Sequence, residues 1–122
     1  LVMSRKLKQS NPQLVENMAK ALIEAVAFIH KPSNRKIVEG TLARYLKLDR
    51  AELIEEAYQS LLKGLPRKPC PTPKGAALVL KLMAQYGINA KAAQLDSADV
   101  VDMSLCTKLD ESGFMDRLYQ GW

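Results

Sequence analysis

Four prolines lie within nine residues near the middle of this chain, and they constrain its fold more than any other feature. The segment spans residues 65–73 and reads Leu-Pro-Arg-Lys-Pro-Cys-Pro-Thr-Pro. Proline lacks the backbone N–H that helices and central strands require, so the segment is predicted to be an extended connector. Residues 1–122 are predicted to form a single helical unit that contains this connector.

Apolar residues recur at helical spacing on both sides of the connector. The first clear helix is predicted to begin at Pro12, capped by Ser10 or Asn11, and to end before Pro32. Its inward stripe is predicted to comprise Leu14, Met18, Ala21, Leu22, Ala25, Val26 and Ile29. The residues before it are predicted to be a strand end at 1–3 and a polar loop at Ser4–Ser10.

Further helices are predicted from capping residues and glycine stops. An Asp49 cap with Glu52 three residues later suggests a capping box, and Gly64 a stop. The predicted helices span residues 33–47, 50–64, 72–86 and 102–112, with a final turn or helix at 114–119. Their inward residues are predicted to include Ile37, Val38, Leu42, Tyr45, Leu46, Ile54, Ala57, Tyr58, Leu61, Leu62, Val79, Leu82, Met83 and Tyr86. The fold class is therefore mostly α.

Composition and charge exclude several classes of protein. Hydrophobic residues make up 48% and charged residues 25% of the 122 residues, as in soluble domains with one core, and no apolar run reaches the roughly 20 residues of a membrane span. The net charge is +6 over residues 1–50, +2 over 51–90 and −3 over 91–122. A basic N-terminal half can mark a nucleic-acid surface, but it also occurs in a chain that is balanced by a missing part.

The cysteines and the single histidine give no metal-binding or redox motif. Cys70 and Cys106 have no CxxC spacing, and His30 has no second histidine or cysteine at ligand spacing. Two unpaired thiols are the default expectation, and a disulfide remains open in an oxidising compartment. His30 is interpreted as a satisfied or solvent-facing histidine, and no catalytic or metal-binding residue is assigned.

Two charged clusters are better explained by solvation than by ligand binding. Asp96, Asp99 and Asp102 recur every third residue, but the glycine and terminal glutamate of a calcium loop are absent. A basic cluster could hold phosphates, yet no aromatic residue interleaves with it as base stacking would require. That cluster consists of Lys63, Arg67, Lys68 and Lys74, beside a basic segment at Arg5, Lys6 and Lys8. We therefore expect no nucleic-acid partner.

Several short motifs follow one another along nearly the whole chain. They are Asn-Pro-Gln-Leu at 11–14, Ala-Phe-Ile-His-Lys-Pro at 27–32, Ala-Arg-Tyr-Leu at 43–46, Glu-Glu-Ala-Tyr at 55–58 and Pro-Arg-Lys-Pro at 66–69. The ending is the most specific, with Val-Asp-Met-Ser at 101–104 and Leu-Asp-Glu-Ser-Gly-Phe-Met-Asp-Arg-Leu-Tyr at 109–119. In this order the motifs resemble the C-terminal portion of ABC-transporter substrate-binding proteins of the nitrate, sulfonate, taurine and thiamine-precursor group.

The resemblance implies a helical C-terminal fragment of the two-lobed, α/β type II periplasmic-binding fold. The expected function is the solute-binding component of an ABC importer for a small anion, sulfonate or pyrimidine-like ligand. The expected partner is a membrane permease, and the expected location is periplasmic or extracytoplasmic, soluble or lipid-anchored. Because the ligand cleft lies between the lobes, most of it is missing here and no ligand-binding residue can be carried over.

Two other readings remain open. An enzyme of the thiamine-precursor branch would need catalytic residues that this chain does not display, so we expect neither an enzyme nor a cofactor. A self-standing helical interaction module, which could bind nucleic acid through the basic N-terminal half, is the main alternative. If the chain is a fragment of the binding-protein fold, helices that pack against a sheet in the complete protein would expose their apolar faces, so self-association of the fragment is predicted.

Overall fold

The computed structural model describes residues 3–121, which form helices joined by short turns. No strand occurs among these residues, which confirms the mostly α prediction. Part of the predicted strand end, Leu1 and Val2, lies outside the described residues. Numbered along the chain, the α-helices of residues 3–121 are α1 (Arg5–Ser10), α2 (Pro12–His30), α3 (Arg35–Leu46), α4 (Ala51–Gly64), α5 (Pro73–Gln85), α6 (Ser97–Val100), α7 (Ser104–Glu111) and α8 (Phe114–Arg117).

The helices group into two compact units. The first unit holds α1 to α4 together with α8, and the second holds α5 to α7. Short 3-10 turns lie at Pro32–Asn34 in the first unit and at Ala90–Gln94 in the second. Residues 65–72 contain no helix and no strand, as the prolines of the connector require.

The helix α2 has the predicted bounds but buries only part of the predicted face. Pro12 occupies its first turn, and Lys31 leaves the helix in an extended conformation before Pro32. Val15 and Ile23 are buried, together with Val26 and Ala27. Val26 was predicted to face inward and is confirmed, and the predicted Ile29 is half-buried. The other predicted inward residues are exposed: Leu14, Met18, Ala21, Leu22 and Ala25. The prediction was wrong for these residues because α2 carries two apolar stripes, and the packing of neighbouring helices selects between them.

The first helix, α1, replaces the loop predicted for Ser4–Ser10. The Oγ of Ser4 accepts a hydrogen bond from the backbone N–H of Leu7 at 3.2 Å, which is the N-cap arrangement. The backbone N–H of Asn11 then donates to the carbonyl of Leu7 at 2.9 Å, and closes the helix immediately before α2. The loop prediction was wrong because a capping serine can start a helix even in a polar segment.

The helices α3 and α4 lie at the predicted positions. The N-cap of α4 and the buried face of α3 differ from the predictions. Helix α4 begins at Ala51 without a side-chain cap, so the predicted capping box at Asp49 and Glu52 does not form. Tyr58 is buried on α4, as predicted. Of the residues that were predicted to face inward on α3, Val38 is buried. Three other members of that set are exposed: Ile37, Tyr45 and Leu46.

The C-terminal segment packs within the first unit. Gly113 adopts a left-handed conformation, with φ of 70°, which L side chains rarely adopt, and α8 follows immediately. Met115 of α8 is completely buried, although it lies in a helix of only four residues. The Lys20 ammonium of α2 lies 5.8 Å from the centroid of the Phe114 ring. These contacts join the end of the chain to the middle of α2.

A disulfide holds the second unit together. Cys70 and Cys106 are bonded, with their Cα atoms 5.9 Å apart, so the default expectation of two unpaired thiols was wrong. Sequence spacing cannot report this distance, which depends on the path of the intervening residues. Buried apolar residues are few in residues 70–112: they are Ala92 and Leu109. The disulfide therefore supplements a small core.

Helix α5 has its predicted bounds and an unexpected degree of exposure. The Oγ1 of Thr72 accepts a hydrogen bond from the N–H of Gly75 at 3.0 Å, and Gly87 follows the helix with φ of 67°. No residue of α5 is buried. Of the predicted inward residues, Met83 is half-buried, whereas Val79, Leu82 and Tyr86 are exposed. The apolar stripe predicted from spacing exists, but it does not face a core.

Candidate functional site

The first unit contains an apolar groove, which we call the α2–α3 groove. It has a volume of about 510 Å³. Helices α2 and α3 form most of it, and one residue of α4 contributes. The lining residues are Ala21, Glu24, Ala25, Phe28, Ile29, Ile37, Val38, Thr41, Leu42 and Leu61. The groove offers apolar contact, with Glu24 as its one charged lining residue.

Exposed apolar residues lie in the groove and along α2 beside it. In the groove, Ile37 of α3 is 60% exposed and Phe28 of α2 is similarly open to solvent. Leu22 of α2 is 50% exposed and belongs to what we call the α2 stripe. Leu14 and Met18 extend the exposed stripe by two turns towards the start of α2. Apolar side chains on one continuous helical face are less stable in water than when another surface covers them. This surface is therefore suited to packing against another apolar surface.

A charged network joins α3 to α4 at a second, more polar groove. The Nε–H of Arg35 donates to Glu39 Oε1 at 2.6 Å, and another guanidinium nitrogen pairs with Glu55. The guanidinium carbon lies 5.1 Å from the centroid of the buried Tyr58 ring. The hydrogen bond with Glu39 raises the pKa of Arg35 above its ordinary value, and Glu55 adds to the effect. Because two carboxylates occupy this guanidinium, it joins two helices rather than presenting an open anion site.

His30 lies in a cluster formed by the end of α2, the connector and the C-terminal segment. Its Nε2–H donates to the carbonyl oxygen of Leu65 at 2.7 Å, and its ring is edge-on to Tyr119 with centroids 6.3 Å apart. The Tyr119 hydroxyl donates to the Arg67 carbonyl at 2.8 Å, and the Arg67 guanidinium lies 5.1 Å from the Tyr119 ring centroid. His30 is thus a satisfied, half-buried histidine that fastens the connector.

Two residues of the basic cluster beside the prolines have partners within the first unit. Arg67 is engaged with Tyr119, and the Lys68 ammonium lies 2.9 Å from Asp116 Oδ1. Lys63 is exposed at the end of α4, and Lys74 belongs to the second unit. Two of the four predicted cations therefore have partners within the first unit.

Asp96 and Asp102 of the second unit accept hydrogen bonds from backbone N–H groups near the starts of helices. Asp96 Oδ1 accepts a hydrogen bond from the N–H of Ala98 at 2.9 Å. Asp102 Oδ1 accepts from the N–H of Ser104 at 2.9 Å and from its hydroxyl at 2.5 Å. Across residues 3–121, no group of three or more His, Cys, Asp or Glu side chains is arranged to hold a metal ion. The capping interpretation is confirmed for Asp96, which caps α6, but the predicted Asp102 cap was wrong, because Met103 is the N-cap residue of α7 and provides no side-chain cap.

Sequence reasoning did not identify the groove, although one signal for it was present. Helix α2 has more apolar residues than a single face can hold, and Phe28 and Ala27 are adjacent but point to exposed and buried surroundings respectively. A second apolar stripe of this kind indicates a second packing surface. Within residues 3–121, no helix combines the length and hydropathy required to cross a membrane.

Comparisons of the chain with protein-family models, curated proteins and solved structures found no match.

Proposed function

We propose that this chain is the helical C-terminal part of a solute-binding component of an ABC importer. The observation that carries the proposal is the exposed apolar surface made by the α2 stripe and the α2–α3 groove, where Leu14, Leu22 and Ile37 lie open to solvent. In the proposed complete protein, this surface packs against the sheet of the two-lobed fold. The resemblance of the ordered motifs that end at residues 109–119 supports the proposed family, and the exposed surface is consistent with packing against a missing part of the protein.

The chemistry of this surface favours a neutral, apolar neighbour. Several charges near it are paired within the first unit: Lys20 pairs with Glu16 at 2.7 Å, and Arg35 pairs with Glu39 and Glu55, while Glu24 is the one charged residue of the lining. Helices that cover a sheet present a broad apolar face without a strong field of one sign. The α2–α3 groove has these properties.

The disulfide supports the proposed location. Disulfides form and persist in oxidising compartments, which include the bacterial periplasm and the cell exterior. Cys70 and Cys106 are half-buried and bonded across α5 to α7. An extracytoplasmic binding protein would keep this bond, whereas a reducing cytoplasm would tend to break it.

The proposed ligand is a small anion, a sulfonate or a pyrimidine-like molecule, and the proposed partner is a membrane permease. The ligand would bind between the lobes of the complete protein, so no residue of this chain is assigned to it. The role is binding and delivery rather than catalysis. The Arg35 guanidinium is not proposed as the anion site, because Glu39 and Glu55 already pair with it.

Thermal unfolding of the native protein, purified from its source with an antibody to this chain, tests the proposal. A ligand that binds only the folded state at 100 times its Kd stabilises it by about 2.7 kcal/mol, which raises the Tm by several degrees. We expect one of the three ligand classes to raise the Tm, and a neutral sugar of similar size to leave it unchanged. A native protein that responds to none of the three classes would contradict the proposal.

A second candidate, a self-standing helical interaction module, is favoured by the same α2–α3 groove. In that case the groove would bind an apolar helix of another protein, and the 122-residue chain would be active alone. Salt distinguishes this module from a nucleic-acid binder that uses the basic N-terminal half. For binding to B-DNA, the logarithm of the binding constant falls with the logarithm of the salt concentration, with a slope of about −0.9 for each neutralised phosphate. Binding that does not weaken with salt and is lost on Leu22→Gln would favour the helix-binding module.

A further inference from the structure

Helix α5 presents a second apolar surface, in the second unit, that differs in character from the α2–α3 groove. Leu78 is 57% exposed and Tyr86 is 71% exposed, with Val79 and Leu82 also open to solvent. Successive residues of an α-helix are about 100° apart, so these four residues fall in a single sector of roughly 100°. We call this sector the α5 face.

Lysines border the α5 face along one side. Lys74 and Lys81 are two helical turns apart, and both lie about 40–60° from Leu78 around the helix axis. Both side chains are exposed, as is Lys91 in the 3-10 turn that contacts α5. Long lysine side chains can extend their charge beside a buried apolar surface while the ammonium remains in a polar layer. The arrangement is that of an amphipathic helix with a cationic border.

The charged residues of α5 itself have one sign, although Asp99 of α6 and its cap Asp96 lie in an element that contacts α5. No Asp or Glu occurs between Glu56 and Asp96 in the sequence, so α5 and the turn after it carry lysines without a single acid. The α2–α3 groove differs, because Glu24 lines it and the nearby Lys20 pairs with Glu16. A surface that is apolar at its centre and cationic at its border complements a partner that is apolar inside and anionic at its surface.

We propose that the α5 face docks the protein on an anionic lipid membrane, with the helix lying in the plane of the interface. Leu78, Val79, Leu82 and Tyr86 enter the boundary between head groups and acyl chains, and Lys74 and Lys81 contact the anionic head groups. The Tyr86 ring suits this depth, because it places an apolar body inward and a hydroxyl at the polar layer. This inference goes beyond the proposed solute-binding function and does not depend on it.

The structure favours a membrane over other anionic partners. Nucleic-acid surfaces place cations and stacking aromatics at the centre of contact, whereas the centre of the α5 face is aliphatic. An acidic protein helix could also pair with the lysines, but it would need its own apolar stripe in register with Leu78 and Leu82. A lipid surface needs no register.

The Thr72 cap and the disulfide also preform the second unit, so less ordering is required on binding.

Vesicle flotation with the intact, oxidised 122-residue chain tests the proposal. The vesicles are phosphatidylcholine alone or phosphatidylcholine with phosphatidylglycerol, each at low and high salt. We expect binding to the anionic vesicles, weak binding to the neutral ones, and release by salt. Each lysine near an anionic surface is worth about fivefold in partitioning, so Lys74→Gln with Lys81→Gln should weaken binding roughly 25-fold. Leu78→Asp with Leu82→Asp should reduce it by more than about tenfold.

A matched control distinguishes lipid binding by the α5 face from nonspecific binding by any exposed apolar residue. Tyr45→Asp with Leu46→Asp changes two exposed apolar residues at the end of α3, outside the α2 stripe and the α2–α3 groove, and the lipid affinity should stay within about twofold of the unchanged chain. Circular dichroism checks that every variant remains helical. Failure of the folded chain to bind anionic vesicles would overturn the proposal, as would equal loss in the α3 control. Soluble polyglutamate tests for an acidic protein partner. If the chain binds polyglutamate as strongly as vesicles, and if Leu78→Asp with Leu82→Asp does not weaken that binding, the proposal is overturned in favour of such a partner.

Discussion

Cys70 and Cys106 are joined by a disulfide although 36 residues separate them in sequence. Cys70 lies in the connector shortly before α5, and Cys106 lies in α7, so the bond closes a loop that includes α5 and α6. Within residues 70–112 the buried apolar residues are Ala92 and Leu109. The second unit therefore depends on a covalent link more than on a core, as small disulfide-bonded domains do.

Replacing both cysteines, Cys70→Ser with Cys106→Ser, should destabilise the second unit by about 2–5 kcal/mol. Hydrogen exchange resolved by peptide is the suitable measurement, because it reports the two units separately. Peptides from residues 70–112 should exchange faster in the variant, while α2 and α4 should retain their protection. Reductant should have this effect on the unchanged chain and none on the variant. Equal protection of residues 70–112 with and without the bond would contradict the interpretation.

Adjacent residues on α2 should respond very differently to truncation. Ile23 is buried and Leu22 is half exposed, so the two positions test which apolar stripe faces the core. We expect Ile23→Ala to cost about 2–5 kcal/mol and Leu22→Ala to change stability by no more than about 0.5 kcal/mol. Urea unfolding followed by circular dichroism gives both values. Similar losses at the two positions would mean that the stripe predicted from spacing, not the observed one, forms the core.

The isolated chain should self-associate through the exposed α2 stripe. Apolar surface of this extent is rare on monomers, and a second copy can cover it. Sedimentation velocity should show an average mass that rises with concentration above 13.6 kDa. Leu14→Gln with Leu22→Gln should shift the association towards monomer, whereas Glu56→Gln on the exposed side of α4 should not. A folded chain that stays monomeric at every concentration would be evidence against this use of the stripe.

The hydroxyl of Tyr119 should contribute modestly to the stability of the first unit. It donates to the Arg67 carbonyl, and Tyr119→Phe removes this bond while retaining the ring beside His30. We expect a loss of about 0.5–1.5 kcal/mol in urea unfolding. Tyr119→Leu should cost more, because it also removes the ring beneath the Arg67 guanidinium. If Tyr119→Phe is neutral and Tyr119→Leu is also neutral, the cluster does not fasten the connector.

Stability should fall at alkaline pH through the same tyrosine. Burial raises the pKa of the Tyr119 phenol, and the Arg67 guanidinium opposes part of this effect. Because the pKa is higher in the folded state, the stabilising contribution is complete below about pH 10 and is lost as pH rises through the folded value. The urea midpoint should decline above pH 10, and it should decline less in Tyr119→Phe. Identical declines in the two proteins would exclude Tyr119 as a cause.

Helix positions could be predicted from the sequence because their signals are local. Pro12 and Pro32 bracket α2, and Thr72 with Gly87 bracket α5, in agreement with the structure. Each signal acts through the backbone of its own turn, so no distant contact is required. The short helix α1 was missed because a serine cap in a polar segment is a weak signal on its own.

Burial and the disulfide could not be predicted because both depend on distant contacts. Leu22 and Ile23 are equally apolar neighbours, and only the packing of other helices decides which is covered. The approach of Cys70 to Cys106 likewise depends on the path of the intervening residues. The groove was hidden for the same reason, since it is made by apolar residues that the sequence pattern assigns to the core.

The mass and compartment of the native protein test the central claim most directly. An antibody raised against this chain should be used on separated cytoplasmic, membrane and extracytoplasmic fractions of the source cells. We predict a species considerably larger than 13.6 kDa in the extracytoplasmic fraction, as a complete solute-binding protein would be. A species of about the chain's own mass in the cytoplasm would contradict the account and would leave the self-standing helical module as the better explanation.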